Sequence, residues 1–520
     1  MTDRVHGGMG AAMFAVVLGV FLFLSPAHFL TSPDEELNLR TTLSLLQGYG
    51  GAIPSLEGFA SKTGKNGHEY AQYGLGLPLA SLPWCALGVQ IDPTAGAQEQ
   101  NSLSRYFTPG ASMDPVGTKF LRGWMTIFTM ILSAWTVVLV FWIVPRLGLS
   151  LSNSLWISFL LAFGCYTWPH GRTFFTEPLS AFCLLAAVGC FLKSRESARE
   201  NGWILCAGIF WAYAVLTRLD SLITAPAAAW LLCIGESGKA CRLEVNFKRI
   251  AAFSLPWIVV LGIIISYNYI RFGSMAATGY EDQPEKIRFL TPLLAGLHGF
   301  LFTPGRSVFL YSPPLILAIF GAGALWRSDR RLAGGVFLLI AGYLAVMSKW
   351  QNWAGGYDWG PRHIYQITPF LALLAAAWMG KRSLFDAAWK RIGWMTFGAL
   401  SCFIQILGLS ADSVFIIKWF LSRMLRSFPE NSLDAITPYI LQMPIYLPQF
   451  SSPALHWQWM IAHGPDFLIL QAAAEQQGLL LFFAIPLLMI VIGGVVLWRR
   501  CRKASTFSTV EKEESVRESS

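Results

Sequence analysis

The chain has 520 residues, 54% of them hydrophobic and only 13% charged, with a mean hydropathy of +0.48. A soluble domain carries about 25% charged residues, and cores do not grow indefinitely with length, so composition excludes a soluble globular protein. The net charge of +9 does not mark a nucleic-acid binder, because the basic residues fall in short segments between apolar runs, not on one soluble face.

A membrane helix needs about 20 apolar residues. Apolar runs occur at 9–30, 118–144, 152–169, 175–192, 202–217, 219–234, 250–270, 306–326, 332–348, 361–380, 392–410 and 478–498. The first has a long apolar core with no small-residue cleavage site after it, so it reads as a retained anchor. Lys and Arg in short loops set orientation. With the N-terminus in the cytoplasm, the basic residues at 146, 193–199, 239–249, 327–331, 381–391 and 499–503 all fall inside. This alternation predicts an all-α polytopic membrane protein of about 12 transmembrane helices, with both termini cytoplasmic. Three long segments then lie outside: 31–117, 271–305 and 411–477. The first is acidic on balance, with eight Asp/Glu against four Lys/Arg.

Residues 202–234 are too few for two full spans, and two short helices meeting at Arg218 and Asp220 are the better reading. Segment 70–91 is apolar but rich in Gly and Pro, which predicts interfacial or re-entrant helices. The tail 504–520 is polar and charged, which predicts disorder. The nine cysteines lie mostly inside apolar runs and form no CxxC pair. They predict neither a disulfide framework nor a thiolate metal site. No P-loop, GxSxG, HExxH or Rossmann pattern stands in a credible context.

Ionisable groups at a membrane edge are costly and usually functional. Ser32, Pro33 and Glu35 make a helix N-terminus with a capping box. Leu39, Leu43 and Leu46 share one face of the helix that follows, which predicts an amphipathic interfacial helix. Asp34 and Glu35 also stand at the outer surface, as a base or metal ligand would. His170, Arg172 and Glu177 occupy an outer turn, either as an Arg172–Glu177 pair that closes it or as a polar wall. Arg218 and Asp220 occupy another, as a simple pair or as part of a site. The segment WQNWAGGYDWGPR, 350–362, surrounds Asp358, Trp359 and Arg362 with aromatic rings and glycines. Arg362 opens an apolar helix after Gly360 and Pro361, where helix N-terminal amides and a guanidinium suit an anion. Arg306 follows a Pro-Gly pair in the same way.

Together these segments resemble the GT-C superfamily of membrane glycosyltransferases, which includes family-39 protein mannosyltransferases and the bacterial aminoarabinose and Rgt-type lipid-linked-sugar transferases. The resembling pieces are SPDEELNLRTTLSLLQGYG, YAQYGLGLPLASLP, GRTFFTEPLSA, LTRLDSL, NYIRFGSMAATGY, FTPGRSVFLYSPP and WAGGYDWGPRHIYQITPF. The resemblance implies a conserved transmembrane module over 1–270 that includes outer loop 31–117, an outer loop 271–305, and a variable module over 306–503 that includes outer loop 411–477. It implies a polyprenyl-phosphate sugar donor, a glycan, lipid or protein acceptor, and transfer with inversion. The place would be the bacterial inner membrane, with the site facing the periplasm or exterior. Asp34 matches the family's acidic residue, with Glu35 beside it. Arg362 would bind the donor phosphate, helped by Arg172 and Arg306. His170, Glu177, Arg218, Asp220, Tyr73, Trp359 and Asp358 would line the substrate cavity. The resemblance admits a divalent cation near Asp34 and asks for no other cofactor. Two departures leave the acceptor open: there is no large soluble C-terminal domain, and YGLGLP stands where many relatives carry a KPPL-like stretch. The competing reading is a secondary transporter or flippase of a lipid-linked or small polar substrate. The two are told apart by whether Asp34 and Arg362 face one outer cavity.

Overall fold

The structure, a computed structural model, describes residues 2–26, 28–53, 60–94, 117–237, 240–281, 288–356, 358–380, 384–426, 428–429, 433–474 and 483–519. Helix α1 (Thr2–Phe23) ends before Ser25 and Pro26, short of the limit that hydropathy alone suggests. Pro26 forms an isolated bridge with Phe467. Helix α2 (Pro33–Leu46) follows at once and holds ten buried residues along most of its length. Glu36 anchors it, accepting from Arg40 at 2.9 Å and Arg122 at 2.6 Å. Helix α3 (Gly76–Ile91), with Pro83 inside it, is one of the shorter apolar helices.

Between α2 and α3 the chain forms a small antiparallel sheet that hydrophobic periodicity does not predict. Strands β1 (Ala52–Ile53), β2 (Ser61–Thr63) and β3 (Glu69–Ala71) run in the order β1-β3-β2. Strands of two or three residues are too short to show an alternating pattern. The sheet leads straight into Tyr73. A hairpin, β4 (Ile234–Ser237) with β5 (Ala240–Leu243), lies in a segment that charge places inside. Residues 95–116 of the first outer loop lie outside the described residues.

The membrane core is helical. Helix α4 (Lys119–Ile143) is followed by α5 (Leu151–Phe163), the short α6 (Thr167–Gly171), α7 (Glu177–Ser194) and α8 (Glu200–Thr217). A 3-10 turn over Leu219–Thr224 separates α8 from α9 (Ala225–Cys233), so the chain breaks at Arg218 as expected. Helix α10 (Phe247–Phe272) presents Leu255, Ile258, Val259 and Ile270 to the surroundings, which is a lipid-facing pattern. Helix α11 (Leu293–Phe302) lies within segment 271–305. The run 306–326 is not one helix: α12 (Val308–Tyr311) gives way at Pro313 and Pro314 to a 3-10 turn before α13 (Leu317–Ser328). Two prolines remove two N–H donors and clash with the preceding turn. Helices α14 (Arg330–Lys349), α15 (Thr368–Met379) and α16 (Ala388–Leu409) complete the core.

Among the described residues, six helical stretches are continuous and apolar enough to cross a membrane: 119–147, 177–194, 247–272, 330–349, 388–409 and 484–502. The other apolar runs form shorter or interrupted helices, so twelve full crossings are the expectation of charge alternation. The chain is a multi-pass membrane protein. Its last helix, α22, spans Ala484–Ser519 and lies along α1. Gly19 meets Ile490 and Gly493 meets Val16, the close approach that small residues allow between membrane helices. The helix continues through the polar tail, where composition predicts disorder; no Gly or Pro after Gly494 interrupts it.

Among its described residues, segment 411–477 folds into α17 (Ser413–Leu425), α18 (Leu433–Ile440), α19 (Met443–Tyr446), α20 (Ser452–His463) and α21 (Leu468–Ala474). It returns to the start of the first outer loop: Asp412 accepts from Thr31 at 2.5 Å, and Asp466 pairs with His28 at 2.7 Å.

Candidate active site

Six charged residues from distant parts of the chain meet at one point. Pro33 starts α2 and places Asp34 in its first turn. The turn after α6 brings Glu177 to the start of α7. The break after α8 supplies Arg218 and Asp220. Gly360, at φ +74, turns the chain so that Pro361 and Arg362 follow; a Cβ there would press on the Tyr311 ring. Asp358 and Arg362 then stand four residues apart on the same side.

Arg362 is the hub. Its Nη2 lies 2.5 Å from Asp34 Oδ2, its Nε 2.7 Å from Glu177 Oε1, and its Nη1 2.9 Å from Asp358 Oδ2. Its Cζ sits 3.8 Å from the centre of the Phe175 ring, a cation–π contact that a desolvated guanidinium makes well. Glu177 is fully buried and also accepts from Arg218 Nη1 at 2.6 Å. Arg218 in turn holds Asp220 at 2.6 Å. Asp34 has a second partner, the Tyr73 hydroxyl, which donates to Oδ1 at 2.5 Å. Burial and the adjoining Asp34 charge hold the Tyr73 hydroxyl well above its usual pKa, so it stays a donor. The structure thus brings together seven of the sequence-predicted residues: Asp34, Tyr73, Glu177, Arg218, Asp220, Asp358 and Arg362. Sequence reasoning misses Phe175, which carries no charge signal, and Tyr280, close enough to feel Arg218, Asp220, Asp34 and Glu177.

Two of the expected phosphate ligands are elsewhere. Arg172 donates to the carbonyls of Leu409 at 2.8 Å and Gly408 at 3.0 Å. Arg306 donates to the carbonyls of Ala354 at 2.5 Å and Asp358 at 2.9 Å, and to that of Gly356. Arg172 thus fixes the end of α16, and Arg306 fixes the loop that carries Asp358. The Arg172–Glu177 pair does not form, because Glu177 points to Arg218 and Arg362. His170 is buried; its Nε2 lies 2.8 Å from the Trp359 carbonyl, and burial lowers its pKa, so the ring is a neutral donor.

Glu35 differs from its neighbour. It accepts the Ser32 N–H at 3.1 Å, the reciprocal half of a capping box, and the Phe174 N–H at 2.9 Å. It also lines a small cavity with His170, Arg172, Asp358 and Trp359, whereas neither Asp34 nor Arg362 is part of that lining, so this cavity is not the one expected to be faced by both. Burial pushes its carboxyl up to about 8, with two N–H donors opposing and the charges of Asp412 and Asp358 assisting. The folded form therefore holds a proton that the unfolded chain releases near pH 4.5. Where the native state binds more protons, stability falls as pH rises. The Glu35 contribution is expected to weaken the fold progressively from about pH 4.5 to about pH 8. Melting curves across pH 5–9 should show this slope in the native protein and a flatter one in Glu35→Gln. Equal slopes would remove the buried proton.

A divalent cation at Asp34 does not fit the residues as they stand. Both Asp34 oxygens are engaged, by Tyr73 and Arg362. Among the described residues no three His, Cys, Asp or Glu side chains are grouped to hold a metal ion.

The fold and site define a multi-pass membrane protein with a buried ion cluster at the loop ends of its helices. Residues 118–276, from α4 past the end of α10, match the model of the dolichyl-phosphate-mannose-protein mannosyltransferase family. No curated protein sequence matches the chain. Among solved structures, ArnT from Cupriavidus metallidurans bound to undecaprenyl phosphate aligns at 13% identity and TM-score 0.48, over 85% of this chain and 75% of that one. The oligosaccharyltransferase AglB from Archaeoglobus fulgidus, with an inhibitory peptide and a dolichol-phosphate, aligns at 12% identity and TM-score 0.46, over 87% of this chain and 61% of that one.

Proposed function

We propose that the protein is a membrane glycosyltransferase that moves a sugar from a polyprenyl-phosphate donor to an acceptor hydroxyl, with inversion. We place it in the bacterial inner membrane with its site at the periplasmic or outer face. The observation that carries this reading is the direct Asp34–Arg362 contact, 2.5 Å, beside the segment that matches a lipid-phosphate-sugar transferase family.

A lipid-phosphate sugar is already activated, so the enzyme needs no nucleotide site. It must take a proton from the acceptor and stabilise the leaving phosphate. Asp34 suits the first role and Arg362 the second, and each now occupies the other. Donor binding would exchange one contact for another: a phosphate oxygen takes the place of Asp34 on Nη2, and the released carboxylate turns to the acceptor hydroxyl. The acceptor oxygen then bonds to the anomeric carbon as the bond from that carbon to the phosphate oxygen breaks. The proton passes to Asp34, and the electron pair leaves with polyprenyl phosphate. Glu177 and Asp358 keep the guanidinium aimed throughout. General-base help of this kind contributes ~10²–10⁴-fold, and a fixed cation in a dry site adds a comparable term.

Arginine's planar fork holds carboxylate and phosphate oxygens together, which a lysine point charge does not copy. Arg362→Lys is therefore expected to weaken donor use about tenfold or more, since a charge-assisted contact contributes roughly 1.5–3 kcal/mol. A donor titration of the variant checks this. A normal donor dependence would leave Arg362 as a structural partner of its three carboxylates.

A further inference from the structure

A second cavity, of about 450 Å³, lies between segment 351–356 and the folded-back helices α17, α19 and α20. Its size is within the roughly 300–1,000 Å³ of small-molecule sites. It adjoins the ion cluster through shared parts. Ser413 lines both this cavity and the smaller one beside Glu35. His456, fully buried on its floor, packs edge-on against Trp359 with ring centroids 4.8 Å apart. Segment 351–356 leads directly to Asp358 and Arg362.

The walls are braced. Arg306 donates to the carbonyls of Ala354 and Asp358, which hardens one side. The Gly305 N–H donates to the Ile445 carbonyl at 3.1 Å, which ties α19 to the loop before α12. His456 Nδ1 lies 2.7 Å from the Ser452 carbonyl, so that nitrogen is the donor. Burial lowers its pKa to about 4, and the ring is neutral.

The lining chemistry selects its ligand. The rim carries three neutral amides, Gln351, Asn352 and Gln442, with the hydroxyls of Tyr446 and Ser413. Ile416, Ile417 and Leu455 supply apolar surface, with the Trp353 indole at the loop side. Among the described residues of this lining, Arg306 is the only acid or base besides neutral His456 and the Tyr446 phenol, and its guanidinium serves backbone carbonyls. Among the described lining residues an anion finds no uncommitted guanidinium and a cation finds no carboxylate, and a hydrocarbon chain would strand the amides. Amides and hydroxyls both donate and accept, as the hydroxyls of a sugar do, and the C–H face of a pyranose matches the apolar floor.

We propose that this cavity binds a neutral saccharide, the sugar unit of the acceptor whose hydroxyl is delivered toward Asp34. The word acceptor rests on the transferase reading; the saccharide specificity rests on the lining alone.

The test uses the full chain in lipid nanodiscs free of sugar detergents. Saturation-transfer NMR would be recorded with a panel of neutral methyl hexopyranosides, with glucuronic acid and glucosamine as charged controls. Gln442→Ala and Tyr446→Ala serve as variants; both positions are exposed, Tyr446 to 50%, so the fold should tolerate them. The expected result is transfer to at least one neutral glycoside, reduced at least fivefold in the variants and weaker for the charged sugars. Displacement by a soluble oligosaccharide or by a glycolipid in the disc would tell on which carrier the ring arrives, and either supports the proposal. No transfer to any neutral glycoside, equal transfer in native and variant proteins, or a preference for charged sugars would overturn it. Phosphorus line broadening of a polyprenyl phosphate in the same discs separates the two readings. Lipid-phosphate binding without glycoside binding removes the saccharide cavity alone. Glycoside binding without lipid-phosphate binding keeps the cavity and removes the transferase.

Discussion

Asp34→Asn is expected to reduce sugar transfer by ~10²–10⁴-fold, the range that general-base help contributes, while leaving donor affinity unchanged or stronger. The two halves of this expectation come from one contact. Asparagine keeps the size of aspartate, and its carbonyl still accepts from Tyr73. It cannot take a proton from the acceptor, so turnover falls. It also no longer competes as a carboxylate for Arg362 Nη2, which lies 2.5 Å away in the native protein, so a phosphate meets less opposition. A merely structural Asp34 would behave differently: its loss would loosen Arg362 and damage donor binding along with rate. Steady-state kinetics with varied donor checks this. A rate loss confined to donor KM would assign Asp34 to scaffolding.

Glu177→Gln is expected to destabilise the fold by about 3 kcal/mol, the low end of the 3–5 kcal/mol typical of breaking a buried ion pair. Glu177 is fully buried, and one of its oxygens serves both Arg218 and Arg362, at 2.6 and 2.7 Å. The amide keeps the shape and loses the charge. The loss stays near the low end because Arg218 retains Asp220 and Arg362 retains Asp34 and Asp358. Donor use should suffer too, since Arg362 would swing toward its remaining carboxylates. Thermal unfolding of the purified variant measures the first effect. A melting temperature equal to that of the native protein would mean that Glu177 is dispensable to the cluster.

Much of this site is legible in the sequence, for identifiable reasons. Charge in a chain so poor in it stands out, so Asp34, Arg218, Asp220, Asp358 and Arg362 are visible as expensive groups at membrane edges. Ser32, Pro33 and Glu35 announce the start of α2. The pairing is not legible. Nothing local tells that Glu177 reaches Arg362, at a sequence separation of 185, when Arg172 lies five residues away. Arg172 instead serves carbonyls at the end of α16, a demand set by tertiary packing. The return of Asp412 and Asp466 to Thr31 and His28 has the same character. The three-stranded sheet escapes because strands of two or three residues are too short to show an alternating pattern, and the break in 306–326 is marked only by Pro313 and Pro314 inside a run apolar enough to span.

A transporter or flippase would also gather buried charges at a membrane edge, but it would move its substrate intact. The most direct measurement therefore follows the lipid product. Purified protein in nanodiscs would be given polyprenyl-phosphate sugars together with a panel of glycan, lipid and peptide acceptors, and release of unglycosylated polyprenyl phosphate would be quantified. The account predicts acceptor-dependent release by the native protein and its loss in Asp34→Asn. Donors that stay intact while crossing or remaining in the bilayer, or release that is unchanged in Asp34→Asn, would contradict it.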